Sequence, residues 1–231
     1  MKKILIILLC PLIVYIIFIL ANDNSINYVS IGDSSIKGIN QYNIVGYGYN
    51  DYVKNYLIRN NLEHTFNNYY FNSSIDGLKN DVQNNKILMI NNHQYSIKKV
   101  LRESDLLVIS TGMDELNFYL TSFRTSKFND LMDSFYEELD SLCNVIKKYA
   151  KNDIIFIGLY NPKTYYDSDI DEFFYNLETN VAKILKKYDI SYLKMYEKVK
   201  GGNYIIDGNH HLSTKGYLMV AQNIIAYIEK M

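Results

Sequence analysis

The chain has 231 residues and a formal net charge of −1, so bulk electrostatics gives it no partner among nucleic acids or anionic lipids. With 2 Pro and 11 Gly it has little room for long structureless linkers, and its 23 Tyr are spread along the chain as a compositional bias. Of its 2 cysteines, Cys10 falls in an apolar leader and Cys143 in a predicted helix, so neither a disulfide framework nor a zinc cluster is expected.

Met1-Lys2-Lys3 precedes an apolar run from Ile4 to Leu20. Lysines followed by such a run are what an export signal or a membrane anchor requires. As a helix the run would span about 25 Å, just short of a hydrocarbon core of roughly 30 Å. Ile19-Leu20-Ala21 offers one small residue for cleavage, and no small residue precedes Cys10. These features favour an uncleaved anchor over a cleaved signal or a lipoprotein. The expectation is a transmembrane helix over residues 1–21, a polar link over 22–26 and one domain over 27–231. That domain would face outward from the cell membrane, or be secreted if the leader is cleaved.

Asn27 to Ile31 reads as a buried strand that stops at Gly32-Asp33-Ser34-Ser35. Read locally, Asp33 or Ser34 caps a helix. The spacing then predicts a loop at Tyr42–Tyr49, an amphipathic helix over 50–60, a strand over 64–71 and a short helix ending near Asn84. A helix near 96–103 leads into the apolar strand Asp105–Ser110, which ends in Thr111-Gly112-Met113-Asp114-Glu115. Phe128, Leu131, Met132, Phe135, Leu139, Leu142, Ile146 and Tyr149 mark the clearest helix. A strand over 153–159, a helix over 169–188, a strand over 190–195 and a final helix capped by Ser213 complete the chain. Apolar strands alternating with helices imply a parallel sheet covered on both faces. Such sheets bind ligands at the carboxyl ends of their strands. Ser34, Asn72 with Gly77, Asp114, and Asp207 to His211 all fall at such ends, on one edge of one sheet.

That convergence makes Ser34 a candidate nucleophile. A serine hydroxyl needs a base, usually a histidine oriented by a carboxylate. The chain has 4 His, and His210 and His211 lie three and four residues after Asp207. Either spacing lets the carboxylate reach an imidazole. Acyl transfer also needs donors for a developing oxyanion, and the backbone N–H groups of Ser34 and Gly77 are candidates. No metal set accompanies the His pair. No G-x-G-x-x-G supports a nucleotide site in the Gly32–Gly38 turn.

Together these residues resemble the GDSL/SGNH hydrolase family. Gly32-Asp33-Ser34 matches its nucleophile block, with Ser35 where Leu is usual. Asn72-Ser73-Ser74-Ile75-Asp76-Gly77 is similar to its glycine block. Val108 to Leu116 stands in the place of its Gly-x-Asn-Asp block, and Asp207 to Tyr217 resembles its C-terminal Asp/His block. Gly46-Tyr47-Gly48-Tyr49 and Gly158 to Pro162 further resemble low-GC Gram-positive members. The resemblance covers residues 27 to 230. It implies a flavodoxin-like three-layer α/β/α sandwich with a five-stranded parallel sheet, and serine-dependent hydrolysis of an ester or O-acetyl group without a cofactor. The substrate would be a small or envelope-linked acyl ester. The resemblance also implies that Asp114 replaces the Asn that donates a side-chain N–H to the oxyanion, and Glu115 the Asp after it. A carboxylate has no such donor unless burial keeps it protonated. Asp-x-x-His spacing selects His210 as base. His-x-x-x-x-Gly-Tyr spacing selects His211, the longer match, so the expected triad is Ser34, His211 and Asp207 with His210 as the alternative base. A member that binds a glycan or lipid without turnover is the competing expectation, and Asp114 and Glu115 are what support it.

Overall fold

The computed structural model describes residues 24–40, 42–70, 74–90, 93–122, 128–162, 168–206 and 209–231. In chain order it forms β1 (Ile26–Gly32), a 3₁₀ turn (Ser34–Lys37), α1 (Tyr49–Arg59), β2 (Glu63–Tyr70) and α2 (Ile75–Gln83). Next come β3 (Ile87–Ile90), β4 (His93–Ser96), α3 (Ile97–Glu103), β5 (Leu106–Ser110), α4 (Met113–Ser122) and α5 (Phe128–Lys147). The chain ends with β6 (Asp153–Ile157), α6 (Ser168–Lys187), β7 (Ser191–Leu193), α7 (Tyr196–Val199) and α8 (Thr214–Ile228).

Five strands pair in parallel in the order β2-β1-β5-β6-β7. Counted along the parallel strands alone, this is the 2-1-3-4-5 order of the flavodoxin-like arrangement. The sequence dictates it through strands with no polar face. Leu106 to Ile109 and Ile154 to Ile157 are all buried, as a strand with helices on both sides must be. The helices fall into two packed groups, α1 with α8, and α2 with α5 and α6. Right-handed crossovers place connections running to opposite ends of the sheet on opposite faces. On α5, Met132, Phe135, Leu139, Leu142 and Ile146 are buried, which confirms the helical stripe.

The chain leaves β1 toward β2 and returns on its other side at β5. The switch point of the sheet therefore lies at the carboxyl ends of β1 and β5, and Ser34 and Asp114 follow these two strands. The strands approach closely there. A Cβ on Gly32 would stand 1.7 Å from the Ser110 carbonyl oxygen, and the Asp33 N–H donates to that same oxygen at 2.9 Å.

One expectation is corrected, and two elements were not foreseen. The transmembrane helix assigned to residues 1–21 is not supported, because no helix among the described residues is long and apolar enough to cross a membrane. Residues 1–21 themselves lie outside the described residues. Residues 87–96 form an antiparallel hairpin of β3 and β4 that the sequence pattern did not announce. The segment after β5 becomes helix α4 from Met113 onward, which the sequence pattern left unassigned.

Gly32→Ala should separate β1 from β5. Its cost is expected to exceed the roughly 1–3 kcal/mol typical of an overpacked core. Urea denaturation measures it, and a loss below about 1 kcal/mol would show that the two strand ends can move apart cheaply.

Candidate active site

The site is assembled by three carboxylates at the carboxyl edge of the sheet, Asp33 after β1 and Asp114 and Glu115 in the first turn of α4. Asp33 is fully buried. Its Oδ1 accepts from the Ser35 N–H (3.0 Å) and the Ser35 hydroxyl (2.6 Å). Its Oδ2 accepts from the N–H groups of Met113 (2.9 Å) and Asp114 (3.4 Å). One side chain thus caps the 3₁₀ turn after β1 and the start of α4 after β5. Burial first, and the Asp114 charge second, push the Asp33 pKa up to about 6, while the bonds from Ser35 and Asp114 hold it down. The Ser110 hydroxyl extends the network to Ser35 at 2.7 Å.

Glu115 makes the second link. Its Oε1 accepts from the Ile75 N–H at 3.1 Å, tying α4 to the start of α2. Its Oε2 is buried with no partner among the described residues. Burial, opposed by the Ile75 bond and aided by the charges of Glu138, Asp33 and Asp114, raises its pKa to about 8.

Asp114 is the third carboxylate, and it faces Ser34. The Ser34 hydroxyl donates to its Oδ1 in a short contact, and the Ser34 N–H donates to its Oδ2 at 3.2 Å. His210 Nε2 lies 2.8 Å from the same Oδ1 and 3.5 Å from Ser34 Oγ, at the edge of hydrogen-bond reach. Burial works to raise the Asp114 pKa, but the bonds from His210 and Ser34 outweigh it and hold the carboxyl below its ordinary value. The residue is therefore ionised near neutrality. It does not supply the O–H donor that a protonated acid would. An ionised carboxylate only accepts, so His210 Nε2 carries the proton in their contact.

His210, not the expected His211, is the imidazole beside Ser34. The Ile206 N–H donates to the His211 carbonyl (2.9 Å), and the His211 N–H donates to Asn209 Oδ1 (2.9 Å). This turn buries the His211 ring, whose Nδ1 has no partner among the described residues. Burial and the adjacent His210, whose ring centroid is 4.1 Å away, lower the His211 pKa to about 4. The His210 carbonyl accepts from the Tyr160 hydroxyl at 2.8 Å, which ties the His210 segment to the residues after β6. The sequence reading assigned Tyr160 no role.

The Gly77 N–H, expected as an oxyanion donor, instead donates to Ser74 Oγ at 2.9 Å as the cap of α2. Asn72, Asp207 and Gly208 lie outside the described residues. A cavity of about 640 Å³ opens between the loop from Gly38 to Tyr47 and the segments around Asn203 and Leu212 to Tyr217. Among the described residues no His, Cys, Asp and Glu side chains converge as metal ligands would.

This placement of a serine and a histidine at the switch point of a 2-1-3-4-5 sheet is that of a serine hydrolase. The family model of the GDSL-like lipase/acylhydrolases matches residues 28–224, and the chain belongs to that family as a serine hydrolase of ester bonds. Among solved structures, the fold is similar to that of the lipase Lip_vut3 from a goat rumen metagenome. The two share 15% identity and a TM-score of 0.68, over 86% of this chain and 95% of that one. It is also similar to Axe2, an acetylxylan esterase from Geobacillus stearothermophilus, at 15% identity and a TM-score of 0.59, over 87% and 93% of the two chains. No curated protein matches the sequence.

The raised Glu115 pKa has a consequence for stability. An acid whose folded pKa lies above its unfolded value holds its proton more tightly when folded. The stability is then greatest below the ordinary Glu value of 4.5 and falls as the pH rises through about 8. Glu115→Gln keeps the acceptor for Ile75 and cannot ionise. Urea denaturation should find this variant more stable than wild type at pH 9, with the gap shrinking toward pH 5. An equal gap at both pH values would contradict the assignment.

Proposed function

We propose that the protein cleaves an ester or O-acetyl group with Ser34 as nucleophile and His210 as general base and then acid. Asp207, three residues before His210, is the carboxylate that orients it. The observation that carries this reading is the approach of Ser34 Oγ to His210 Nε2 at 3.5 Å, across the switch point of the sheet.

In the first step the ring proton of His210 moves from Nε2 to Nδ1, Ser34 Oγ attacks the carbonyl carbon, and its proton passes to the bare Nε2. The oxyanion accepts from the Ser34 N–H, and from the Gly77 N–H if that group exchanges its bond to Ser74. Collapse expels the alcohol, which takes its proton from His210. Water, deprotonated by His210, then hydrolyses the acyl-serine and releases the acid. The lysines and apolar run of residues 1–21 support delivery of the domain to the outside of the cytoplasmic membrane, where envelope-linked acyl esters are candidate substrates.

The full chain should be labelled by a fluorophosphonate at Ser34 and should hydrolyse p-nitrophenyl acetate measurably, and Ser34→Ala should abolish both. His210→Ala should lower kcat on the order of 10³-fold or more, and His211→Ala less than about tenfold. A larger loss in His211→Ala would assign the base to His211. A wild type that is neither labelled nor active would favour the reading of a binding protein without turnover.

A further inference from the structure

The resting site holds three donors on one acceptor. The Ser34 hydroxyl, the Ser34 N–H and His210 Nε2 all point at the Asp114 carboxylate. Each is needed elsewhere for ester cleavage. The hydroxyl must face His210, the N–H must face the oxyanion, and Nε2 must be bare to accept a proton. An uncharged ester offers Asp114 nothing in exchange. It also places its developing negative charge against a carboxylate.

A substrate that brings its own cation beside the scissile carbonyl reverses both penalties. We infer that the preferred substrate of this site is an ester of an amino acid whose α-ammonium group is unmodified, and that Asp114 is the residue that selects it. The inference rests on Ser34 being the nucleophile. An ammonium brings N–H donors and a full positive charge, which can offset the donors that Asp114 must release. In an aminoacyl ester the ammonium nitrogen stands about 2.5 Å from the carbonyl carbon, fixed by two bonds and one angle. When that carbon meets Ser34 Oγ, rotation of the acyl group can bring the ammonium against Asp114, whose Oδ1 is bonded to Oγ in the resting site. The pairing then turns the carboxylate from an obstacle into an anchor. Asp114 lies partly buried, at 27% side-chain exposure, so the pair is only partly screened by solvent. A cation placed in the alcohol half of an ester would not be held at this fixed distance from the carbon under attack.

The test compares two isosteric esters on the full chain, racemic methyl alaninate and methyl isobutyrate, in which a methyl replaces the ammonium. Methanol release is followed near pH 6, below the ordinary α-amino pKa of about 7.7–8.0. Fluorophosphonate labelling of Ser34 is measured in parallel. Wild type should favour the alaninate by about tenfold or more in kcat/KM. Asp114→Asn should lose that preference and gain on the isobutyrate. A wild type that cleaves the isobutyrate as well as the alaninate, or is inert to the alaninate while Ser34 is labelled, overturns the inference. So does an Asp114→Asn protein that keeps the preference. Loss of labelling in wild type would instead remove Ser34 as nucleophile, and the inference with it.

Discussion

The arrangement depends on one buried carboxylate. Asp33 sits with no exposure between the ends of β1 and β5 and collects donors from both. An ionised carboxylate in such a place is costly unless its oxygens are filled. Here a serine residue supplies one oxygen and the first amides of a helix supply the other. The two turns cannot separate without stranding that group. Gly32 permits the approach from below, since any side chain there would strike the Ser110 carbonyl. Ser34 and Asp114, eighty positions apart in the chain, are thereby held as neighbours.

That neighbourhood has a chemical cost. In the mechanism we propose, an oxyanion formed beside Ser34 meets an acceptor in Asp114, and the loss of one oxyanion donor typically slows acyl transfer by about 10²–10³. The carboxylate also engages His210 Nε2, so the base we propose rests with a proton on the nitrogen that would receive one. The same three contacts keep Asp114 ionised against the effect of burial. The resting state is therefore self-consistent, and it awaits a group that can satisfy the carboxylate in place of the enzyme's own donors. Glu115 extends the same construction to α2, where its bond to Ile75 sets the helix that carries Gly77.

Much of this was legible in the residues because burial leaves a plain pattern. Fully apolar strands such as Leu106 to Ile109, and the stripe of α5, disclosed the sheet and its cover. The Ser34 turn and the Asp114 segment were placed on the correct edge by strand ends alone. The choice between His210 and His211 was not legible. Two spacings disagreed by one residue, and the choice goes with the Ile206 and Asn209 hydrogen bonds that hold His211 buried and leave His210 facing Ser34. The start of α4 was hidden for a related reason, since its cap is Asp33, far away in sequence. The β3–β4 hairpin was missed because its strands are four residues each and the sequence around them is rich in Asn.

The central claim is that an ionised Asp114 holds the proton on His210 Nε2 in the resting protein. Nitrogen NMR of ¹⁵N-histidine-labelled protein near neutral pH reads it directly, with Asp114→Asn as the reference. The account predicts a protonated, hydrogen-bonded Nε2 on His210 in wild type and a changed protonation of that nitrogen in the variant. A bare Nε2 on His210 in wild type, or identical His210 signals in the two proteins, would contradict it.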